Sequence, residues 1–141
     1  MHSRLATNLR KTCYCFLLLV SASYLSAQDR CLDRIEVKAV SFQLETFYSV
    51  SCSTFEKSFK TETKARIISN QDTVLAFCKA IKTTKKANKK FDVDVRAKLC
   101  LHYVNAPYRT LCLDKFDNII LDGDLIKKNK KLIKLVKACL P

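Results

Sequence analysis

Glycine and proline are almost missing from this chain. Its 141 residues hold one glycine, Gly123, and two prolines, Pro107 and Pro141. Interdomain linkers and disordered tails concentrate those residues, so their scarcity argues against domains joined by flexible spacers. No two cysteines are spaced C-x-x-C, and beyond residue 27 the sole histidine is His102, which leaves no ligand set for a structural zinc ion. There is no N-x-S/T sequon, no G-x-S-x-G nucleophile elbow and no glycine-rich phosphate cradle. No nucleic-acid-binding motif is recognisable either. Neither a metal nor a cofactor is expected.

Long apolar runs are missing too, apart from one near the amino terminus. Residues 1–11 carry Arg4, Arg10 and Lys11 and no acid, and Cys13 to Val20 is apolar apart from the hydroxyl of Tyr14. The small and polar run Ser21 to Gln28 follows. A basic head, an apolar centre and a small-residue tail together describe a secretory signal peptide. The charge-free stretch from Thr12 to Gln28 is 17 residues, just short of the ~18–20 apolar residues of a spanning helix. Cleavage is expected after Ala27, with Ala22 and Ser23 as alternative sites. The product is then a secreted or periplasmic protein that does not remain inserted in a membrane.

Removing 27 of 141 residues leaves 114, one domain's worth, enough to bury about two-thirds of the unfolded surface. The leader holds three of the 26 basic residues and none of the 13 acidic ones, so 23 against 13 leaves +10. That excess points to anionic partners. Six of the eight cysteines remain: Cys31, Cys52, Cys78, Cys100, Cys112 and Cys139. In an exported domain an even number reads first as disulfides.

Hydrophobic periodicity predicts a β-α-β-α-β-β-β-α string. Ile35 to Leu44 reads as a strand with a phase slip at Val40, and Lys64 to Ile68 as a short one. Ser53-Thr54-Phe55-Glu56 has the form of a capping box opening a short helix. A second helix starts at Ser69-Asn70-Gln71-Asp72, with an apolar stripe of Val74, Leu75, Phe77, Cys78 and Ile81. From Phe91 to Val104, apolar residues alternate with Asp92, Asp94, Arg96, Lys98, Cys100 and His102, which predicts one buried and one watered sheet face. Strands are also expected over Tyr108–Leu113, Asn118–Leu121 and Asp124–Ile126, the last two joined by an Asp122-Gly123 turn. Asn129 then caps a helix to Leu140. The fold expected is a two-layer α+β domain: a mostly antiparallel sheet with about three helices packed on one face.

Two constellations could carry function. If residues 105–107 form a three-residue loop, Cys100 faces Cys112 and His102 faces Thr110, all on the polar face. A Cys100–Cys112 bridge there would be a plain staple or, with His102 beside it, the centre of a small thiol-redox or hydrolytic enzyme. Cys78 and Cys139 lie on apolar helix stripes, either as buried thiols or as an interhelical bridge. The other constellation is basic. Lys127, Lys130, Lys131, Lys134 and Lys137 share one face of the last helix, and residues 85–90 add four more lysines. The reading favoured is a non-catalytic module that binds a macromolecule or anionic surface. The acid pairs Asp92/Asp94 and Asp122/Asp124 lack the donors of a calcium loop.

Mass spectrometry of protein exported by its source cell should find the mature chain beginning at Gln28. A full-length product recovered from membranes would contradict the leader.

Overall fold

The computed structural model describes residues 32–89 and 92–141. The leader and Cys31 lie outside these residues. In chain order the elements are β1 (Leu32–Ala39), α1 (Phe55–Ser58), β2 (Lys64–Ile68), α2 (Gln71–Lys82), β3 (Val95–Tyr103), β4 (Ala106–Asp114), β5 (Ile119–Leu121), β6 (Asp124–Leu125) and α3 (Lys130–Ala138). The strands form one six-stranded sheet in the order β2-β1-β3-β4-β5-β6, and every neighbouring pair is antiparallel. This is the α+β class that the alternating patterns predicted.

Local chemistry explains most element ends. The side chain of Asn70 accepts from the Thr73 backbone N–H and that of Asn129 from Leu132, so each satisfies one orphan donor at a helix start. Asp122 (φ 51°) and Gly123 (φ 86°) are both left-handed, as the tight β5–β6 turn demands. The expected capping box does not form. The helix starts one residue later than that box requires: Thr54 is the N-cap and makes no side-chain cap bond, the hydroxyls of Ser53 and Thr54 both meet that of Ser51, and Glu56 pairs with Lys38 and Lys98. The helix is short, as expected.

The larger core joins one sheet face to the two longer helices. Ile35, Val37, Leu99, Leu101, Leu111 and Leu113 meet Val74, Phe77 and Ile81 of α2 and Leu132, Ile133 and Val136 of α3. Leu75, expected on the α2 stripe, is exposed, and Ala80 is buried in its place.

The other face departs from expectation. It was predicted to be polar and watered along its whole length, with all three helices on the opposite side. Instead a second cluster covers one end, built from Val40, Val50, Phe55, Phe59, Val95, Cys112 and Ile120. Cys112 and Ile120 alternate with Leu111, Leu113, Ile119 and Leu121 of the first core, so by the period of two they belong to the opposite face. Thus α1 and the 40–54 segment pack there.

Two charges are buried as a consequence. Arg96 is fully buried and Asp94 nearly so. Both sit on the side predicted to face water, and they tolerate burial because almost every polar atom is matched. The Arg96 guanidinium donates to both Asp94 oxygens (2.6 and 2.9 Å), to the carbonyls of Val95 (3.0 Å) and Leu44 (2.9 Å), and to Thr46 Oγ1 (3.3 Å). Its plane lies over the Phe59 ring, 5.5 Å from the centroid. Asp94 also accepts from Val50 N (3.1 Å) and pairs with Lys115 (3.0 Å). Arg96 is the extra residue of a β3 bulge, since Val95 faces Asp114 while Ala97 faces Leu113. Burial pushes the Asp94 carboxyl up, but its bonds to Arg96, Lys115 and Val50 outweigh that and hold it below the ordinary carboxylate range.

Arg96→Met strands a buried carboxylate and should cost about 3–5 kcal/mol in urea unfolding, whereas Arg96→Met with Asp94→Leu should cost less than the single change. Because the folded pKa of Asp94 is depressed, its contribution is complete above the unfolded value (~4) and lost as pH falls through the folded one. Acid titration of stability should therefore be flatter in Asp94→Asn than in wild type below that value.

Candidate functional site

The thiols are arranged differently from the sequence expectation. Cys112 is bonded to Cys52, with Cα atoms 5.9 Å apart, and not to Cys100. The reason is the hairpin register. Asn105 adopts the left-handed conformation (φ 58°), so the turn falls at Val104-Asn105 and Tyr103 pairs with Ala106. Pro107, which was expected to sit in the loop, lies on β4 within a bulge: between Leu101–Arg109 and Tyr103–Ala106 the second strand spends one residue more. Cys100 consequently faces Thr110, and Cys112 faces Lys98. This slip of two residues leaves Cys112 on the predicted face with a different neighbour.

Cys100 is a free, half-buried thiol, and Cys78 and Cys139 are buried free thiols in the described residues. Burial pushes the Cys100 thiol up, and the carboxylate of Glu36, its β1 partner, adds to the effect. A raised pKa keeps Cys100 protonated and a poor nucleophile near neutral pH. His102 faces Arg34 on β1, with Nε2 3.8 Å from a Glu36 oxygen and without a hydrogen bond. Its ring lies 5.9 Å from that of Tyr108. The Cys100/Cys112/His102 centre therefore does not assemble: one thiol is spent in a bridge elsewhere and the other is held neutral.

The acids that sequence reading paired are redistributed. Asp94 is consumed by Arg96. Asp92, Asp122 and Asp124 line an open groove of about 1020 Å³ between the 51–53 segment and the β5–β6 turn, together with Lys98 and Thr110. Asp122 is held by Arg109 Nε (2.6 Å) and Thr110 N (2.8 Å), and Asp124 by Lys86 (2.6 Å). Among the described residues no three His, Cys, Asp or Glu side chains stand close enough to share a metal ion.

The lysines, by contrast, are gathered. Residues 82–89 and 125–141 contain no acid, and the backbone stitches these two segments together. Ala87 N donates to Leu125 O (2.9 Å), Lys127 N donates to Lys85 O (2.7 Å), and Lys86 bridges Ile126. Asn129 Nδ2, at the start of α3, reaches Ala80 O near the end of α2 (3.4 Å). Lys85, Lys127, Lys128 and Lys130 consequently line one dimple of about 280 Å³, together with Thr83, Thr84 and Asn129. Lys131 and Lys134 continue the exposed strip along α3. Lys137, expected on the same strip, is tied to Asp117 at 2.6 Å. Lys128 and the dimple itself were missed in the sequence, where the two basic segments lie about forty residues apart and nothing local couples them.

Compared with known protein families, with curated proteins and with solved structures, the chain finds no match.

Peptide mapping of unreduced protein should recover Cys52 joined to Cys112, with Cys100 alkylated slowly at neutral pH and faster as pH rises. The bridge closes a 60-residue span, so its loss in Cys52→Ala/Cys112→Ala should cost up to about 4 kcal/mol on loop-closure grounds.

Proposed function

We propose that this chain is an exported, non-catalytic binding module that engages an anionic macromolecule or surface through its lysine strip. The observation that carries the reading is the convergence of two acid-free lysine segments on the Thr83–Thr84 dimple. Like charges on four lysines that line one depression repel one another, and a bound anion relieves that repulsion.

The start of α3 adds to the argument. Its first turn holds Lys130 and Lys131 and no acid, opposite to what a helix dipole favours at its positive end. Each misplaced lysine costs about 0.3–1 kcal/mol in a helix tuned for stability alone. The arrangement is better explained by an outside anion that supplies the missing negative charge. Export is supported by the basic, apolar and small-residue run of the first 27 residues and by a disulfide, a bond that persists in oxidising compartments.

Changing Lys128, Lys130 and Lys131 to Gln should lower the salt concentration of elution from heparin or phosphate resin well beyond the same number of changes at Lys57, Lys60 and Lys64. Equal losses in the two triples would show that retention follows diffuse charge.

A further inference from the structure

Three large aromatic side chains stand in water at one end of the sheet: Phe47 (106% exposed), Tyr48 (70%) and Phe116 (60%). Antiparallel pairing places them there together. The carboxyl end of β1, the amino end of β3, the carboxyl end of β4 and the amino end of β5 coincide through Ala39–Ala97, Val95–Asp114 and Leu113–Ile119. The loop after β1 and the β4–β5 turn therefore leave the sheet from the same edge.

Neither segment is loosely attached. On one side of Phe47-Tyr48-Ser49 the chain is pinned by Arg96 to Leu44 O and Thr46 Oγ1, and on the other by Val50 to Asp94 and Val95. Phe116 rides a turn held by fully buried Asp114, which accepts from Phe116 N (2.8 Å), Asn118 N (2.7 Å) and Asn118 Nδ2 (2.8 Å). Two buried carboxylates thus hold the aromatic tips outward.

Basic groups accompany them. Lys115 lies 5.3 Å from the centre of the Phe116 ring, and Asp117, next in the turn, binds Lys137 in the last turn of α3. The nine residues of α3 span roughly 13 Å, with the lysine dimple at its first turn and the Lys137–Asp117 pair at its last. Glu45, two residues before Phe47, is an exposed acid, as is Asp92 just before the amino end of β3.

We infer that this end docks on an anionic lipid bilayer, with Phe47, Tyr48 and Phe116 entering the headgroup–acyl boundary and the lysine strip lying against the charged headgroups. The inference rests on the lysine-surface reading above and names its partner. Aromatic rings with cations beside them are the composition of an interfacial anchor. Separate tips on two loops suit a fluid boundary that asks for depth and no shape match.

The chain has no tryptophan, so Phe47→Trp introduces a single reporter. With vesicles of equal parts phosphatidylcholine and phosphatidylserine, its emission should shift to the blue and be quenched by brominated acyl chains. Phe47→Ser with Tyr48→Ser should weaken sedimentation with those vesicles at least about tenfold while leaving heparin retention unchanged. Wild-type protein that is retained on heparin but ignores the vesicles would overturn the bilayer as partner and leave the lysine surface standing. Vesicle binding unaffected by the double serine change would overturn the aromatic anchor. Equal heparin losses in the two lysine triples would overturn the lysine-surface reading itself, separately from the vesicle result.

Discussion

A guanidinium sealed inside a sheet has to find acceptors in nearly every direction, and much of this structure follows from how Arg96 does so. Its donors reach Asp94 on the same strand, two carbonyls and one hydroxyl, and two of these partners belong to the loop after β1. That loop has no secondary structure of its own across residues 44–50 beyond bends. It is held to the sheet by this charge pair, by Val50 on either side of β3's first residue, and by the Cys52–Cys112 bond just beyond. Breaking such a buried pair is costly because the remaining charge cannot be rehydrated.

Covering that end of the sheet gives the second face its own small apolar core, in which Phe55, Phe59, Val50 and Cys112 are shielded. The rest of that face stays polar, with Glu36, Lys38, Lys98 and Glu56 arranged as a charge lattice. The lattice has a chemical consequence. Cys100 sits beside Glu36 in a half-buried setting that disfavours its thiolate.

Charge is distributed unevenly. The groove beside the β5–β6 turn is lined by Asp92, Asp122 and Asp124 together with Lys89 and Lys98, while the lining of the α2–α3 dimple holds lysines and no acid. Short backbone bonds between residues 85–87 and 125–127 enforce this separation, since they lock two basic segments edge to edge despite their repulsion.

Much of this was legible in the sequence wherever the governing forces are local. The two-residue period of β3, the apolar stripes of α2 and α3, the Asn70 and Asn129 caps and the Asp122-Gly123 turn each depend on residues a few positions apart. The tertiary structure decided the rest. Alternation identifies a face but is blind to a shift of two residues, so it put Cys112 on the correct side of the sheet and opposite the wrong partner. It also assigned Asp94 and Arg96 to water, because their burial depends on a loop whose anchor points lie some fifty positions away in the chain. The lysine dimple is of the same kind. Composition along the chain determines how much charge there is, and only packing, through contacts between distant segments, determines where that charge is brought together.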